Sequence, residues 1–435
     1  MLRKKYARSI LLWSHAVKAK PLLLWGARQV GKTTLMQEYA GAHNPDHIYL
    51  NFEFDKQLHS LFVDSLDPIQ ILRNLEIYFG RPIQPASTLL IFDEIQECDH
   101  ALNSLKYFAE AKENYRVMAA GSLLGVKHSK MGFPVGQVEF LDVHPLSFIE
   151  FLEMTGFEKL AEYIGQLARP DPIPEAIHQK LLTKTKEYMW LGGMPEVIAA
   201  FIKEPGNFAR LRTIQQQIVR TYQLDFAKYA PADQVVKIGE IYAQVPMQIA
   251  KENKKFKISG ISKNARLREY GEALQWLIDA GIVHRVTNIS QIDIPLGVHA
   301  DRDVFKLFMV DTGLVGAQLN VPIKLILDQT ELFCSYKGAL TESYVAQQLV
   351  ANDHKEIYYW SDSSSAEVDF VVQVDDEVFP LEVKSSINVR SKILAKFGER
   401  YSLKKLSRGT ALNARQDGAI VNYPLYAVCR FPRWS

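Results

Sequence analysis

The chain has 435 residues, of which 47% are hydrophobic and 23% are charged, a composition that suits a globular protein of two to four domains. The formal net charge of +2 argues against a polyanionic partner for the chain as a whole. No apolar run approaches the ~20 residues that a membrane helix needs, which argues against a membrane-spanning protein.

The cysteines and the N-terminus predict a cytoplasmic protein. Cys98, Cys334 and Cys429 lie far apart and have no zinc-binding spacing, which fits a reducing compartment. The N-terminus is basic, but its apolar run over residues 10–13 is too short for a signal peptide. We therefore expect no contact with a membrane.

The first informative stretch is an apolar strand that leads into a phosphate-binding loop and then a helix. A glycine-rich turn at this place directs backbone N–H groups and a helix N-terminus at an anionic phosphate. Lys32 would reach the β- and γ-phosphates, and the Thr33 hydroxyl would ligate Mg²⁺. The alternative is an ordinary strand–turn–helix with a chance lysine. The predicted nucleotide-binding residues are Gly26, Ala27, Arg28, Gln29, Val30, Gly31, Lys32, Thr33 and Thr34.

Two further apolar strands end in residues suited to nucleotide chemistry. Residues 88–92 lead into Asp93 and Glu94, as in a central parallel strand that ends at an active site. Asp93 would hold Mg²⁺ opposite Thr33, and Glu94 would polarise the attacking water. Ser122 follows another strand and would sense the γ-phosphate, although a turn serine is the alternative. Alternating strands and helices predict a doubly wound parallel α/β sheet of the P-loop NTPase class.

Several motifs resemble those of the bacterial and archaeal AAA-type ATPases that carry a C-terminal domain of unknown function. The resemblance covers nearly the whole chain and implies binding of ATP with Mg²⁺. Relatives usually have Gly-Arg where this chain has Gly136-Gln137. If that arginine acts on the nucleotide, hydrolysis here is slow or uses an arginine from elsewhere. The motifs are the phosphate loop, the Asp93-Glu94-Ile95-Gln96 box, Pro-Leu-Ser-Phe-Ile-Glu-Phe at 145–151, Leu-Gly-Gly-Met-Pro-Glu at 191–196 and the strand with Asp-Thr-Gly-Leu at 304–314.

The middle of the chain predicts helices followed by a winged-helix-like segment. Residues 151–230 are helical in pattern and would form a lid beside the nucleotide. Residues 231–300 contain short helices, a helix ending at Gly281 and a β-rich segment. The basic residues of this segment would contact a nucleic-acid backbone, or the segment is a plain scaffold. These residues are Lys251, Lys254, Lys255, Lys257, Lys263, Arg266 and Arg268, and the candidate arginine fingers in the lid, which surface roles would also explain, are Arg210, Arg212 and Arg220.

Residues 301–435 predict a second α/β domain, whose element order of helix, three strands, helix and strand resembles the PD-(D/E)XK nuclease superfamily. Asp369 and Glu382 would ligate Mg²⁺ with help from Glu342, and Lys384 would stabilise developing charge. An exposed hairpin with weakly paired charges is the alternative. Pro380 predicts an edge position or an irregularity in its strand, and Asp311 is either functional or a turn cap.

The predicted function is therefore that of an ATP-binding protein and Mg²⁺-dependent ATPase. It would act as a switch or motor for the C-terminal nuclease-like domain, with DNA, RNA, a protein or a second copy of the chain as candidate partners. One alternative is an ATP-gated, metal-dependent nuclease. The other is a non-catalytic signalling ATPase with a degenerate nuclease fold. The predicted divisions are the ATPase core at 1–150, the lid at 151–230, the winged-helix-like segment at 231–300 and the nuclease-like domain at 301–435.

Overall fold

A computed structural model shows two compact units. The first contains Met1–His144 with Asp279–Gly281, and the second contains Pro145–Ile278 with Ile282–Ser435. The described helices include none that is long and apolar enough to cross a membrane. The structure describes residues 3–122, 136–251, 254–262, 265–323, 334–362, 366–385 and 391–434.

The first unit is built on a parallel sheet. Over its described residues, five strands pair in the order β2-β3-β4-β1-β5, and every pairing is parallel. The sheet confirms the expected α/β class, and the strands agree with the apolar runs of the sequence. The elements are α1 Lys4–Ser14, β1 Leu22–Trp25, α2 Lys32–His43, β2 His47–Asn51, α3 Pro68–Phe79, β3 Leu89–Asp93, α4 Asp99–Glu110, β4 Arg116–Ala120 and β5 Glu139–Asp142.

Both faces of this sheet are buried, because the strands are apolar at consecutive positions. Successive side chains of a strand point to opposite faces, and Leu23 and Leu24 are both fully buried. Leu23 belongs to a core that includes the apolar sides of α3 and α4. Helix α2 contacts β3 and β4 and contributes Leu35 and Met36, which are buried outside that core. The central strands therefore present their ends, and not their faces, to any ligand.

The second unit begins with a run of helices. Their boundaries follow local signals: Ser147 caps the first helix in a capping box with Glu150, and Gly281 has φ of 69° just beyond the last helix. That last helix begins at Leu267, and the expected earlier start at Lys263 lies outside the described residues. These helices are α5 Phe148–Met154, α6 Glu158–Gln166, α7 Glu175–Leu191, α8 Pro195–Lys203, α9 Phe208–Tyr229, α10 Val235–Ile249 and α11 Leu267–Asp279.

The remainder of the second unit is organised around a mixed sheet. In the parts of the chain that are described, eight strands have the order β12-β13-β11-β10-β9-β8-β6-β7. The helix, three strands, helix and strand expected from the sequence are present as α13, β8, β9, β10, α14 and β13, whereas β11, between α14 and β13, was not expected. The elements are β6 Val283–Ile289, β7 Ala300–Met309, α12 Thr312–Gln318, α13 Cys334–Ala351, β8 Tyr358–Ser361, β9 Glu367–Val374, β10 Glu377–Val383, α14 Lys392–Arg400, β11 Leu406–Thr410, β12 Arg415–Asp417 and β13 Ile420–Pro424.

The strand order of this sheet bears on two expectations, the position of Pro380 and the winged-helix-like segment. Pro380 predicts an edge position or an irregularity, and the edge alternative is wrong, because β10 lies between β9 and β11. Proline is tolerated there because pairing with β11 begins only at Leu381, so the missing N–H of Pro380 interrupts no described pair on that side. The β6–β7 hairpin, which would be the wing of a winged helix, belongs to this same sheet, and β6 pairs with β8. The four-part division of the chain stays a prediction.

Candidate functional site

The phosphate loop joins β1 to α2, and its two glycines have backbone angles that disfavour other residues. Gly26 has φ of 145°, and a Cβ atom there would lie 2.0 Å from the carbonyl oxygen of Val143. Gly31 has φ of 94° and ψ of 24° at the N-cap of α2. A side chain at either position would strain the turn. The loop thus brings the N-terminus of α2, with its unpaired N–H groups, next to the end of the sheet.

Lys32 is the buried cation of this loop. Its ammonium donates hydrogen bonds to the carbonyl oxygens of Gly26, at 2.8 Å, and Ala27, at 2.7 Å. Burial lowers the pKa of Lys32 to about 8, although the nearby carboxylates of Glu94 and Asp93 oppose this effect. A buried ammonium with only carbonyl acceptors is suited to receive an anionic oxygen.

Asp93 lies at the end of β3 and links the loop to the next strand. Its Oδ1 accepts a hydrogen bond from the Thr33 hydroxyl at 3.1 Å, and its Oδ2 accepts one from the Tyr49 hydroxyl at 2.6 Å. Burial raises the pKa of Asp93, whereas the hydrogen bonds from Tyr49 and Thr33 lower it. The structure therefore brings together Thr33 and Asp93, the two oxygen donors that the sequence predicts as ligands of one Mg²⁺.

Glu94 follows in a left-handed backbone conformation, with φ of 50° and ψ of 43°. This conformation is uncommon for a residue other than glycine and often marks a functional position. The Oε2 atom of Glu94 accepts hydrogen bonds from the Gln96 amide at 2.5 Å and from the Ser122 hydroxyl at 3.4 Å. Gln96 and Ser122 are both buried. The predicted sensor serine therefore lies beside the predicted water-activating carboxylate.

The structure shows the environment of Gln137 and of the candidate arginine fingers. Gln137 donates a hydrogen bond to Glu110, at the end of α4, at 3.4 Å. In the second unit, Arg210 forms an ion pair with Glu204, and Arg212 lies 4.6 Å from the centre of the Trp190 ring. Both arginines thus have structural partners within their own unit, and Arg212 is half-buried. Arg220 is exposed.

The carboxylates predicted as nuclease ligands face lysines. Lys306, a fully buried residue of β7, has its ammonium 2.5 Å from Glu367, 3.7 Å from Glu342 and 3.8 Å from Asp369. Burial acts to lower the pKa of Lys306, but these three carboxylates outweigh it and raise the pKa above its ordinary value. A second lysine, Lys254, forms an ion pair with Glu342.

The predicted ligands pair with different lysines. Glu382 Oε1 lies 3.0 Å from the ammonium of Lys384, whereas Glu342 and Asp369 face Lys306. Asp369 Oδ2 also accepts a hydrogen bond from the backbone N–H of Val383 at 2.8 Å. Among the described residues, no group of three or more His, Cys, Asp or Glu side chains is arranged to hold a metal ion.

A buried polar network connects three of the motifs that the sequence analysis singled out. Asp311 caps α12 by accepting a hydrogen bond from the N–H of Leu314 at 3.2 Å, which agrees with the turn-cap interpretation. Its other oxygen accepts hydrogen bonds from the N–H of Gly193 at 2.5 Å and the amide of Gln347 at 3.0 Å. Leu146 in turn donates its N–H to the carbonyl oxygen of Gly193 at 2.7 Å. These motifs therefore build the interior of the second unit.

The predicted nucleic-acid residues have different environments. Lys254 forms an ion pair with Glu342, whereas four of the other basic residues are exposed to solvent. Lys255 is half-buried, and Lys263 lies outside the described residues. The exposed residues are Lys251, Lys257, Arg266 and Arg268.

Sequence reasoning missed several residues of these sites. Tyr49 gave no signal, because a tyrosine in a β-rich run is ordinary. Gln96 was visible as a polar residue directly after the acidic pair. Lys306 had the clearest signal, because a lysine inside the apolar run 304–310 needs a buried partner. Gln347 could not be recognised without its contacts.

Comparison with protein families divides the chain into three matched parts. Residues 18–152 match the AAA domain. Residues 182–324 match a domain of unknown function (DUF8612), and residues 337–427 match another domain of unknown function (DUF4143). No curated protein matches the chain.

Three solved structures align with about three quarters of the chain. The Aeropyrum pernix ORC1 protein in complex with DNA is 12% identical, with 75% of this chain and 93% of that chain covered and a TM-score of 0.28. Cdc6p from Pyrobaculum aerophilum is 11% identical, with coverage of 75% and 95% and a TM-score of 0.27. Drosophila ORC bound to DNA is 13% identical, with coverage of 73% and 94% and a TM-score of 0.26.

The N-terminal match agrees with the geometry of the first unit. A parallel sheet, a glycine loop at the N-terminus of α2 and an acidic residue at the end of β3 lie within residues 18–152. This part of the chain is an AAA-type P-loop domain. The two other matches name no activity, so the nuclease-like character of residues 301–435 stays a prediction.

Proposed function

We propose that the first unit binds ATP together with Mg²⁺ and hydrolyses it. The observation that carries the proposal is the hydrogen bond between the Thr33 hydroxyl and Asp93 Oδ1, at 3.1 Å, beside the buried ammonium of Lys32. Two elements distant in sequence, the start of α2 and the end of β3, thus supply a cation, a hydroxyl and a carboxylate at one end of the sheet. This is the combination that a triphosphate and its metal ion require.

The residues present fit the nucleotide and the metal ion. Hydroxyl and carboxylate oxygens are the ligands that Mg²⁺ prefers, so Thr33 and Asp93 would hold the ion. When bound, Mg²⁺ neutralises charge on the β- and γ-phosphates. Lys32 would exchange its carbonyl acceptors for phosphate oxygens, which are better acceptors for an ammonium because they carry negative charge. The N–H groups at the start of α2 would donate to the remaining phosphate oxygens.

Glu94 would act on the attacking water. Its carboxylate oxygen Oε2 is held by Gln96 and Ser122, which restricts the rotamers available to the side chain. Ser122 would exchange this hydrogen bond for one to the γ-phosphate or the water when nucleotide is bound. In the proposed reaction, Glu94 accepts a hydrogen bond from the water and orients it for attack.

ATP turnover in three single variants tests this assignment. Lys32→Ala is expected to abolish turnover because it removes the phosphate-binding cation. Glu94→Gln is expected to retain ATP binding and to lose roughly 100-fold or more in turnover. Lys56→Ala is the matched control, since Lys56 is exposed and pairs with Glu97 at 3.4 Å, and it should turn over ATP like the wild type. Wild-type turnover in Lys32→Ala would disprove the site.

A role for the ATPase in acting on nucleic acid is supported by the exposed basic residues before and within α11. Lys251, Lys257, Arg266 and Arg268 are free to approach a phosphate backbone. The test is ATP turnover with and without DNA or RNA. Stimulation that falls with rising salt and is lost in Arg266→Glu/Arg268→Glu, with basal turnover unchanged, would support it. Equal turnover with and without either nucleic acid would favour a protein partner or a second copy of the chain.

A further inference from the structure

The carboxylate cluster of the C-terminal sheet has a cation of its own. Glu342 on α13 and Glu367 and Asp369 on β9 all lie within 4 Å of the ammonium of Lys306. Glu367 and Asp369 are two positions apart on one strand, so both point to the same face of the sheet. We infer that Lys306 occupies the position where a nuclease of this element order would bind its divalent metal ion, and that the cluster binds no such ion.

The fold explains why a lysine can fill this position. Lys306 is on β7, and its partners Glu367 and Asp369 are on β9, with β6 and β8 between them in the sheet. The side chains of Lys306 and of its two β9 partners approach each other across these strands, and the ammonium of Lys306 lies 5.0 Å from the centre of the Tyr359 ring on β8. The ring face adds a further favourable contact for the cation. Lys306 itself is completely buried, so solvent cations cannot readily replace it.

The third predicted ligand strengthens the inference. Glu382 belongs to a separate pair with Lys384, at 3.0 Å. Each of the three carboxylates expected to bind metal therefore has a lysine within 4 Å. A divalent ion held by Glu342 and Asp369 would compete with Lys306 for both carboxylates. The buried ammonium of Lys306 would then keep Glu367 alone of its three carboxylate partners, which makes the exchange costly.

This arrangement has a consequence for function. Hydrolysis by this type of nuclease requires a metal ion to activate the water and to stabilise the charge on the phosphate. An ammonium supplies positive charge but offers no open coordination position for water. The domain would therefore act as a binding or transmitting module, in line with the alternative of a degenerate nuclease fold.

Mn²⁺ stoichiometry tests the inference directly. Binding of Mn²⁺ to the full nucleotide-free chain is measured by electron paramagnetic resonance in the wild type and in Asp369→Asn. Because the experiment compares variants of the second unit, it is independent of the ATP site. Equal numbers of bound ions in the two proteins are expected. One ion fewer in Asp369→Asn would overturn the inference.

A second comparison tests the role of Lys306 itself. Lys306→Met removes the charge but keeps the length of the side chain, and it should lower the urea midpoint of unfolding at about pH 8, where acidic side chains are ordinarily ionised. Lys405→Met is the matched control, because Lys405 forms an exposed ion pair with Glu377 at 2.9 Å, and its midpoint should stay near that of the wild type. A wild-type midpoint in Lys306→Met would contradict a role as resident cation.

Discussion

The carboxylate of Asp311 accepts a hydrogen bond from the backbone N–H of Gly193 at 2.5 Å, across 118 positions of the chain. The position of this carboxylate also explains why residue 192 is a glycine. A Cβ atom at Gly192 would lie 2.0 Å from Asp311 Oδ1, and the φ of 75° at Gly192 also disfavours a side chain. The Gly-Gly and Asp-Thr-Gly motifs are therefore two halves of one buried structure.

Replacement of Asp311 by alanine should strongly destabilise the second unit. The change would leave the N–H groups of Gly193 and Leu314 and the amide of Gln347 buried without this acceptor. Each unsatisfied buried donor costs about 1–3 kcal/mol, so we expect a total loss of at least about 3 kcal/mol in the free energy of unfolding. Urea unfolding checks this value. Asp376→Ala, at an exposed turn, should cost less than about 0.5 kcal/mol, and equal losses in both variants would refute the role of Asp311.

Asp311 should also make stability depend on pH. Burial raises the pKa of Asp311 from its ordinary value of 3.8 to about 6, although its hydrogen-bond donors oppose this effect. The folded state then holds a proton that the unfolded state releases, so the contribution is full below pH 3.8 and is lost as the pH rises through about 6.

The variant Asp311→Asn isolates this contribution, because it cannot titrate. Relative to this variant, the wild type should lose about 2 kcal/mol of stability between roughly pH 4.5 and pH 7.5. The free energy of urea unfolding, measured for both proteins at the two pH values, gives the difference. A difference that does not change with pH would mean that the Asp311 carboxyl is not perturbed by burial.

The affinity for ATP should fall as the pH rises above about 8. Burial lowers the pKa of Lys32 to about 8 in the nucleotide-free protein, and the charge of a bound triphosphate would raise this pKa again. Binding above that pH therefore includes the uptake of a proton, and the affinity should decrease by up to about tenfold per pH unit. Isothermal titration calorimetry in buffers of different ionisation enthalpy measures the proton directly. Constant affinity between about pH 7 and 9.5, without proton uptake, would show that Lys32 stays charged throughout.

Gln96 should position Glu94 for the proposed reaction without binding ATP itself. Its amide donates to Glu94 Oε2 at 2.5 Å. Gln96→Met keeps the shape of the side chain but removes the donor, so kcat should fall about tenfold or more while the dissociation constant of ATP stays unchanged. Gln96→Glu should have a larger effect on kcat, because it brings a like charge next to Glu94. Equal loss of binding and turnover in Gln96→Met would instead indicate damage to the nucleotide pocket.

The ATPase part of the chain could be predicted from sequence because its signals are local. Gly26, Gly31 and Lys32 lie within seven residues, and Asp93 directly follows its own strand. Strand ends of a parallel sheet meet at one edge, so these short motifs also predict a shared site. The hydrogen bond between Thr33 and Asp93 agrees with that reasoning.

The second unit was less predictable because its key contacts are distant in sequence. The spacing of Asp369, Glu382 and Lys384 suggested a metal site, but the structure pairs Asp369 with Lys306, 63 positions earlier in the numbering. The order of the strands in the mixed sheet determines which side chains meet. That order cannot be derived from the spacing of residues in the sequence. The edge alternative for Pro380 is wrong for the same reason. The strand that pairs with the other side of β10 is β11, which follows α14 in the chain.

The central claim is that the loop of residues 26–34 binds ATP through Lys32. Equilibrium binding of ATP with Mg²⁺, measured by isothermal titration calorimetry at about pH 7, compares the wild type with Lys32→Ala and with the exposed-site control Lys56→Ala. The account predicts that the wild type and Lys56→Ala bind ATP with the same dissociation constant and that Lys32→Ala loses at least about 100-fold in affinity, or about 2.7 kcal/mol. Undiminished ATP binding by Lys32→Ala would contradict it.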